Sequence, residues 1–396
     1  MSDQLPRGFR AAGVYSGVKE NPDRKDLSLV VSEFPASAVG VYTQNIVFGA
    51  PVKLNRNRTP SDAIRAVVIN SGVANACTGE QGYRDAEAMA AAAAACGAHP
   101  EQVLVMSTGV IGKLLPMEKI RAGIAQAAAQ LDDAPAALVC AAQGMMTTDT
   151  RHKIVSREIR LSHGQVRVTA MAKGAAMIGP NMATMLALVM TDAALGVDDA
   201  QHCLKDAADE SFNCISVEGH TSTSDTVLLL ANGAAGGPRL AGADLAKFQA
   251  TLVEVCEDLA QSIPADGEGA THLITVEVHG CRTRQEAVKI AKTIADSPLV
   301  KTAIAGADPN WGRIVSAAGY AGVPFDPDRV SLHLNGALLY ERGVPVPFDE
   351  AAVSDDIQAN RNVGIVLLLE EGHCSARFWT SDLTAEYVRL NADYRT

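Results

Sequence analysis

Met171-Ala172-Lys173-Gly174-Ala175-Ala176-Met177-Ile178-Gly179-Pro180-Asn181-Met182-Ala183-Thr184-Met185-Leu186 is the stretch on which the reading of this chain turns. A strand runs into a Lys-Gly pair, a Gly-Pro turn follows, and a small residue and a threonine open onto the apolar run Met185 to Met190. One reading is plain: strand, turn, strand, with Thr184 an ordinary β-branched strand starter. The other is chemical: Ala183–Thr184 is a bond that the chain cuts by itself. The Thr184 hydroxyl attacks the preceding carbonyl, and water opens the resulting ester. Thr184 then begins a second chain. Its hydroxyl is a nucleophile, and its freed α-amine, with an unperturbed pKa of about 7.7–8.0, is a base built into the same residue. A base near the working pH is an efficient one.

The surroundings of that stretch read as a mixed α+β protein. Residues 154–160 and 166–172 form a hairpin around Ser162-His163-Gly164, and 226–231 is another strand. Upstream, strands are predicted at 11–18, 27–43, 65–70 and 103–107, with helices at 83–96, 116–130 and 134–145. Downstream, helices are predicted at 198–213, 242–262 and 284–296, the last opened by a Thr283/Glu286 capping box. Strands are predicted at 271–279, 329–334, 362–369 and 374–380, and residues 232–237 read as a surface loop. Sheets flanked by helices follow.

Composition bounds the function. The 396 residues are 47% hydrophobic, 20% charged and only 4% aromatic, so a large core built on Ala, Val, Leu and Ile is available. The net charge of −11 offers no basic face for nucleic acid. No apolar stretch is long enough for a membrane span, and the N-terminus lacks an apolar signal core. The eight cysteines contain no C-x-x-C pair, which argues against a zinc ribbon and, with the missing signal, predicts a cytoplasmic protein with reduced thiols. The charge is uneven: residues 1–183 carry 19 basic and 15 acidic side chains, and residues 184–396 carry 15 and 30. No run of five like charges makes this an acidic tail.

The segment Ala172-Lys173-Gly174 through Pro180-Asn181-Met182-Ala183-Thr184-Met185-Leu186 resembles the self-cleavage motif of the ornithine acetyltransferase family, also called ArgJ. Ordered blocks extend the resemblance almost end to end. They are Pro6-Arg7-Gly8-Phe9, the loop Asn70 to Gly79, Ser107-Thr108-Gly109-Val110-Ile111-Gly112, Met146-Thr147-Thr148-Asp149, Ser297 to Ala303, Asp308-Pro309-Asn310-Trp311-Gly312-Arg313 and Asp382 to Val388. The resemblance implies an ArgJ/DmpA-like fold: layered β-sheets flanked by helices, with a smaller C-terminal α/β subdomain. It implies cleavage between Ala183 and Thr184 into interwoven α (1–183) and β (184–396) chains.

By the same resemblance, Thr184 is the acyl-accepting nucleophile. Thr108, by its hydroxyl, and Gly109, by its backbone N–H, form the oxyanion hole. Thr147, Lys173, Glu268, Asn391 and Thr396 bind substrate, Glu268 at its amino end and the last two from a C-terminal tail that closes over the site. The implied reaction moves acetyl from N-acetyl-ornithine to glutamate through an acetyl-Thr184 ester. It needs no cofactor and no metal, and in some members acetyl-CoA is a second acetyl donor. Partners are these small molecules, and αβ units assemble into a heterotetramer or larger. Departures from the family pattern at Ala176, His220, Ser224, Gly267 and His272 bear on acceptor preference rather than on cleavage. Two rivals stand beside this reading: a self-processing N-terminal-nucleophile hydrolase, and an uncut binding protein on the same fold. A nucleotide site at Asp308-Pro309-Asn310-Trp311-Gly312 lacks the glycine spacing such sites use.

Overall fold

The computed structural model describes residues 3–179 and 185–393. In chain order the strands are β1 (Phe9–Val14), β2 (Leu27–Tyr42), β3 (Ser61–Val73), β4 (Val103–Val110), β5 (Lys153–Leu161), β6 (Gly164–Lys173), β7 (Leu186–Thr191) and β8 (Ile215–Ser216). They continue as β9 (Thr226–Ala231), β10 (Leu273–Cys281), β11 (Ser331–Leu334), β12 (Ala337–Glu341), β13 (Val344–Pro345), β14 (Asn362–Leu368) and β15 (Cys374–Ser381). They build two mixed sheets. The first runs β4-β3-β2-β9-β7-β6-β5, with β1 paired to β2, and the second runs β13-β12-β11-β14-β10-β15-β8.

The apolar run after Thr184 decides the middle of the first sheet. Every residue of β7 (LALVMT) and β9 (TVLLLA) is buried, as strands covered on both faces must be. Alternate side chains go to opposite faces. Ala187, Val189, Val227 and Leu229 join one apolar cluster, while Leu186, Leu188, Met190, Leu228 and Leu230 join another. The first cluster continues through helices Val197–Glu210 and Gly242–Ser262 to the second sheet, where Ile274, Val276 and Val278 of β10 point inward. The second cluster is closed by helix Pro135–Met145 through Leu138, Ala141 and Ala142. A third, under helices Gly79–Ala94 and Met117–Ala129, covers the β3–β4 end. The architecture is therefore the layered α+β arrangement, with sheets and helices alternating.

The predicted helices and most strands appear within a few residues of the expected bounds. Helices Ala50–Arg58, Pro298–Ala305, Trp311–Gly319, Glu350–Ala359 and Ala385–Asp393 are additional to the sequence reading. Asn310, in the stretch weighed as a nucleotide site, caps helix Trp311–Gly319 by accepting the Arg313 N–H at 3.2 Å. Thr283 accepts the Glu286 N–H at 3.2 Å as the capping box requires. The Glu286 carboxylate takes the N–H of Arg282, not that of Thr283.

Candidate active site

Strand ends bring Thr108, Gly109 and Lys173 together. β3 and β4 run parallel, with Ser71 beside Thr108 and Gly72 beside Gly109. Gly109 has φ +125, and a Cβ there would lie 2.3 Å from the Gly72 carbonyl carbon, so both conformation and contact demand glycine. β6 pairs with β7 so that Lys173 faces Leu186, two residues after Thr184. The buried Lys173 Nζ donates to Thr108 Oγ1 at 3.2 Å. Since Oγ1 is the acceptor in that contact, the Thr108 hydroxyl proton is left to donate elsewhere.

A cavity of about 340 Å³ opens at this meeting point. Thr108, Gly109, Thr147, Lys173, Glu268 and Asn391 all line it. Thr147 follows helix Pro135–Met145, and its N–H donates to Asp149 Oδ2 at 2.9 Å. Glu268 follows the turn Pro264–Asp266; its N–H donates to Ala175 O at 3.0 Å, and its Oε2 accepts from Asn391 Nδ2 at 2.8 Å. Asn391 and the cavity-lining Tyr387 stand on helix Ala385–Asp393, so the C-terminal segment packs on the site where sequence alone reads a frayed end. Ala183, Thr184 and Thr396 lie outside the described residues.

The electrostatics are those of a buried, mixed-charge pocket. Burial pushes the Lys173 ammonium below its ordinary value, against the pull of Asp149. Burial alone would raise Asp149, but Lys153 and Lys173 beside it hold its carboxyl down to about 2. Burial lifts the Glu218 carboxyl to about 7, although Ile178 N–H donates to its Oε1 at 2.6 Å. Burial also pushes Asp225 well up, although Met185 N–H donates to its Oδ1 at 3.0 Å. These two carboxyls therefore hold the backbone on either side of residues 179–184. Among the described residues no set of His, Cys, Asp and Glu gathers as metal ligands would.

The match between chain and family is correspondingly complete. The ArgJ family pattern fits residues 10–396. The chain belongs to the ArgJ family. Among its relatives is the arginine biosynthesis bifunctional protein ArgJ of Rhodopirellula baltica, 48% identical, covering 100% of this chain and 97% of the relative. The protein of the same name from Symbiobacterium thermophilum is 48% identical over 99% of this chain and 98% of its own length. The crystal structure of the Bacillus halodurans ArgJ protein is similar with a TM-score of 0.51 at 41% identity, covering 52% of this chain and 98% of that one.

The five positions expected from the sequence to depart from the family pattern fall into two groups. Ala176, His220 and Ser224 line the cavity. Gly267 and His272 do not: Gly267 sits against Pro264 and Ser381, and His272 is buried between Asp382 Oδ2 (2.9 Å) and Ile357 O (3.1 Å). Sequence reasoning passed over Glu218, Tyr387 and Asp225. Glu218 and Asp225 flank His220 and Ser224 in one loop, so the unusual Glu218-Gly219-His220 run was the available signal.

Proposed function

We propose that the chain is a glutamate N-acetyltransferase that cuts itself between Ala183 and Thr184 and passes acetyl from N-acetyl-ornithine to glutamate. The observation that carries this reading is the convergence of Thr108, Gly109, Thr147, Lys173, Glu268 and Asn391 on one cavity, with Lys173 paired in the sheet to Leu186, two positions after Thr184 in the sequence. The relatives' name, which places them in arginine biosynthesis, supports the same chemistry.

This reading assigns the following steps. N-acetyl-ornithine enters with its acetyl carbonyl toward Thr108 and Gly109 and its ammonium end toward the Glu268 carboxylate, which Asn391 holds in place. The Thr184 oxygen attacks the carbonyl carbon while the Thr184 α-amine takes the hydroxyl proton. The tetrahedral oxyanion is met by the Thr108 hydroxyl and the Gly109 N–H. Lys173 donates to Thr108 and orients that hydroxyl toward the substrate. The C–N bond breaks, ornithine leaves with the proton, and an acetyl ester remains on Thr184. The glutamate amine then attacks the ester carbon, its proton passes through the Thr184 α-amine to the Thr184 oxygen as the ester C–O bond breaks, and N-acetyl-glutamate leaves. Positive charge on Lys173, which pairs with Leu186 two positions after Thr184, also favours the neutral α-amine, because positive charge disfavours its protonation. No cofactor takes part, acetyl-CoA is a second donor to the same ester, and cytoplasmic αβ units assemble further.

The test is the release of ornithine from N-acetyl-ornithine with and without glutamate. Release that depends on glutamate and yields N-acetyl-glutamate supports transfer. Equal release without glutamate would instead mean a hydrolase, and an uncut, inactive chain a binding protein.

A further inference from the structure

Three of the side chains that bind substrate in this reading, Thr147, Lys173 and Glu268, stand on separate segments, and one buried ion cluster is tied to all three segments. Lys153 Nζ contacts Asp149 Oδ1 at 2.7 Å and Asp266 Oδ2 at 2.6 Å, with the three side chains 1%, 0% and 4% exposed. None of the three lines the cavity. Each carboxylate passes the hold onward. Asp149 accepts the N–H of Gly174, next to Lys173, at 2.7 Å, and the N–H of Thr147 at 2.9 Å. Asp266 accepts the Thr150 N–H at 3.1 Å and its hydroxyl, and lies two residues before Glu268. Two carboxylates against one ammonium leave a net negative charge, and Lys173 lies close enough to Asp149 to offset it.

We propose that Lys153, clamped between Asp149 and Asp266, is a positioning strut that fixes the spacing between the acyl end of the cavity (Thr147, Lys173) and the anchor for the ammonium end (Glu268). A buried ion cluster contributes little net stability, because desolvation opposes the attraction, but it is satisfied in one geometry only. The two ends need such a device. Lys153 and Asp149 belong to residues 1–183 and Asp266 to residues 184–396, so after cleavage no continuous backbone sets their separation. The inference rests on the acetyl transfer proposed above.

The test uses the full-length protein. Asp266→Asn keeps the size and an acceptor oxygen but removes the charge on the Glu268 side. The KM for N-acetyl-ornithine should rise about tenfold with kcat within about threefold, as loss of binding without loss of chemistry requires. Arg157→Ala removes an exposed ion pair to Asp258 between the same two pieces and should leave KM unchanged. A lower melting temperature with unchanged KM in Asp266→Asn would overturn the strut, because a purely structural role predicts that pattern. Should Asp266→Asn not fold, Thr150→Val removes one hydroxyl contact to Asp266 and should raise KM about threefold; no change there overturns the inference equally. A wild-type protein that moves no acetyl from N-acetyl-ornithine to glutamate rejects the functional reading instead.

Discussion

At the scale of single residues, the 3.2 Å contact from Lys173 to Thr108 is the most consequential in the site, since it assigns the direction of one hydroxyl proton. Thr108→Val keeps the shape and loses that donor. Its kcat/KM should fall about 10²- to 10³-fold, the usual cost of one oxyanion donor, while the mass of the cut chains stays normal. A drop below about threefold would leave Thr108 without that role. Thr184→Ala should give one uncut chain and no transfer by denaturing mass spectrometry and assay; a cut or active variant would reject the mechanism. Glu218 gives a pH prediction. Burial lifts its carboxyl from 4.5 to about 7, so the folded chain keeps a proton that the unfolded chain has lost. Stability from this site is full below about 4.5 and is lost as pH rises through about 7. Glu218→Gln stays neutral, so it should melt above wild type at pH 8, with the gap narrowing toward pH 5; a gap independent of pH would contradict this. Thr108, Gly109 and Lys173 were legible because they stand in short ordered blocks beside strand ends. Glu218 and Asp225 were not, because burial sets their chemistry, and burial depends on residues far away in the chain.

At the scale of elements, what the sequence revealed follows from how each segment is covered. The runs Leu186–Thr191 and Thr226–Ala231 are apolar throughout because both faces of those strands are buried, and that signal is hard to miss. Helices Ala50–Arg58 and Pro298–Ala305 are short, begin with Pro at the first or second position and carry no acidic first turn, so a loop was the easier reading. Helix Ala385–Asp393 has no buried residue among those described, so no apolar stripe announced it. Its value is positional: it presents Asn391 to Glu268. Asn391→Ala should therefore raise the KM for N-acetyl-ornithine several-fold without a change in melting temperature; a stability loss with unchanged KM would make the helix a packing element only. Thr283, whose side chain caps helix Arg284–Asp296, is the converse case. Thr283→Ala should cost about 1 kcal/mol in denaturant unfolding and leave kinetics unchanged.

At the scale of the whole molecule, the proposed cut falls inside the first sheet. β7 and β9, from residues 184–396, lie between β2 and β6, from residues 1–183, and are hydrogen-bonded to both. Severing the chain between Ala183 and Thr184 would thus leave the middle of one sheet belonging to one piece and its flanks to the other. The pieces also differ in charge, +4 against −15 by formal count. Two forces could hold them: general attraction between opposite charges, and shared packing. They respond differently to salt. At 1 M the screening length is about 3 Å, so attraction between exposed charges vanishes, whereas buried apolar surface is if anything held more firmly. The exposed pair Arg157–Asp258 contributes at most about 1 kcal/mol, and Lys153–Asp266 is too buried for salt to reach. Packing should dominate. The cut protein should accordingly sediment as one species containing both pieces in 1 M NaCl, and the pieces should separate only in denaturant, together with loss of the sheet. Separation in salt alone would mean that the central strands are not shared as the sheet order requires.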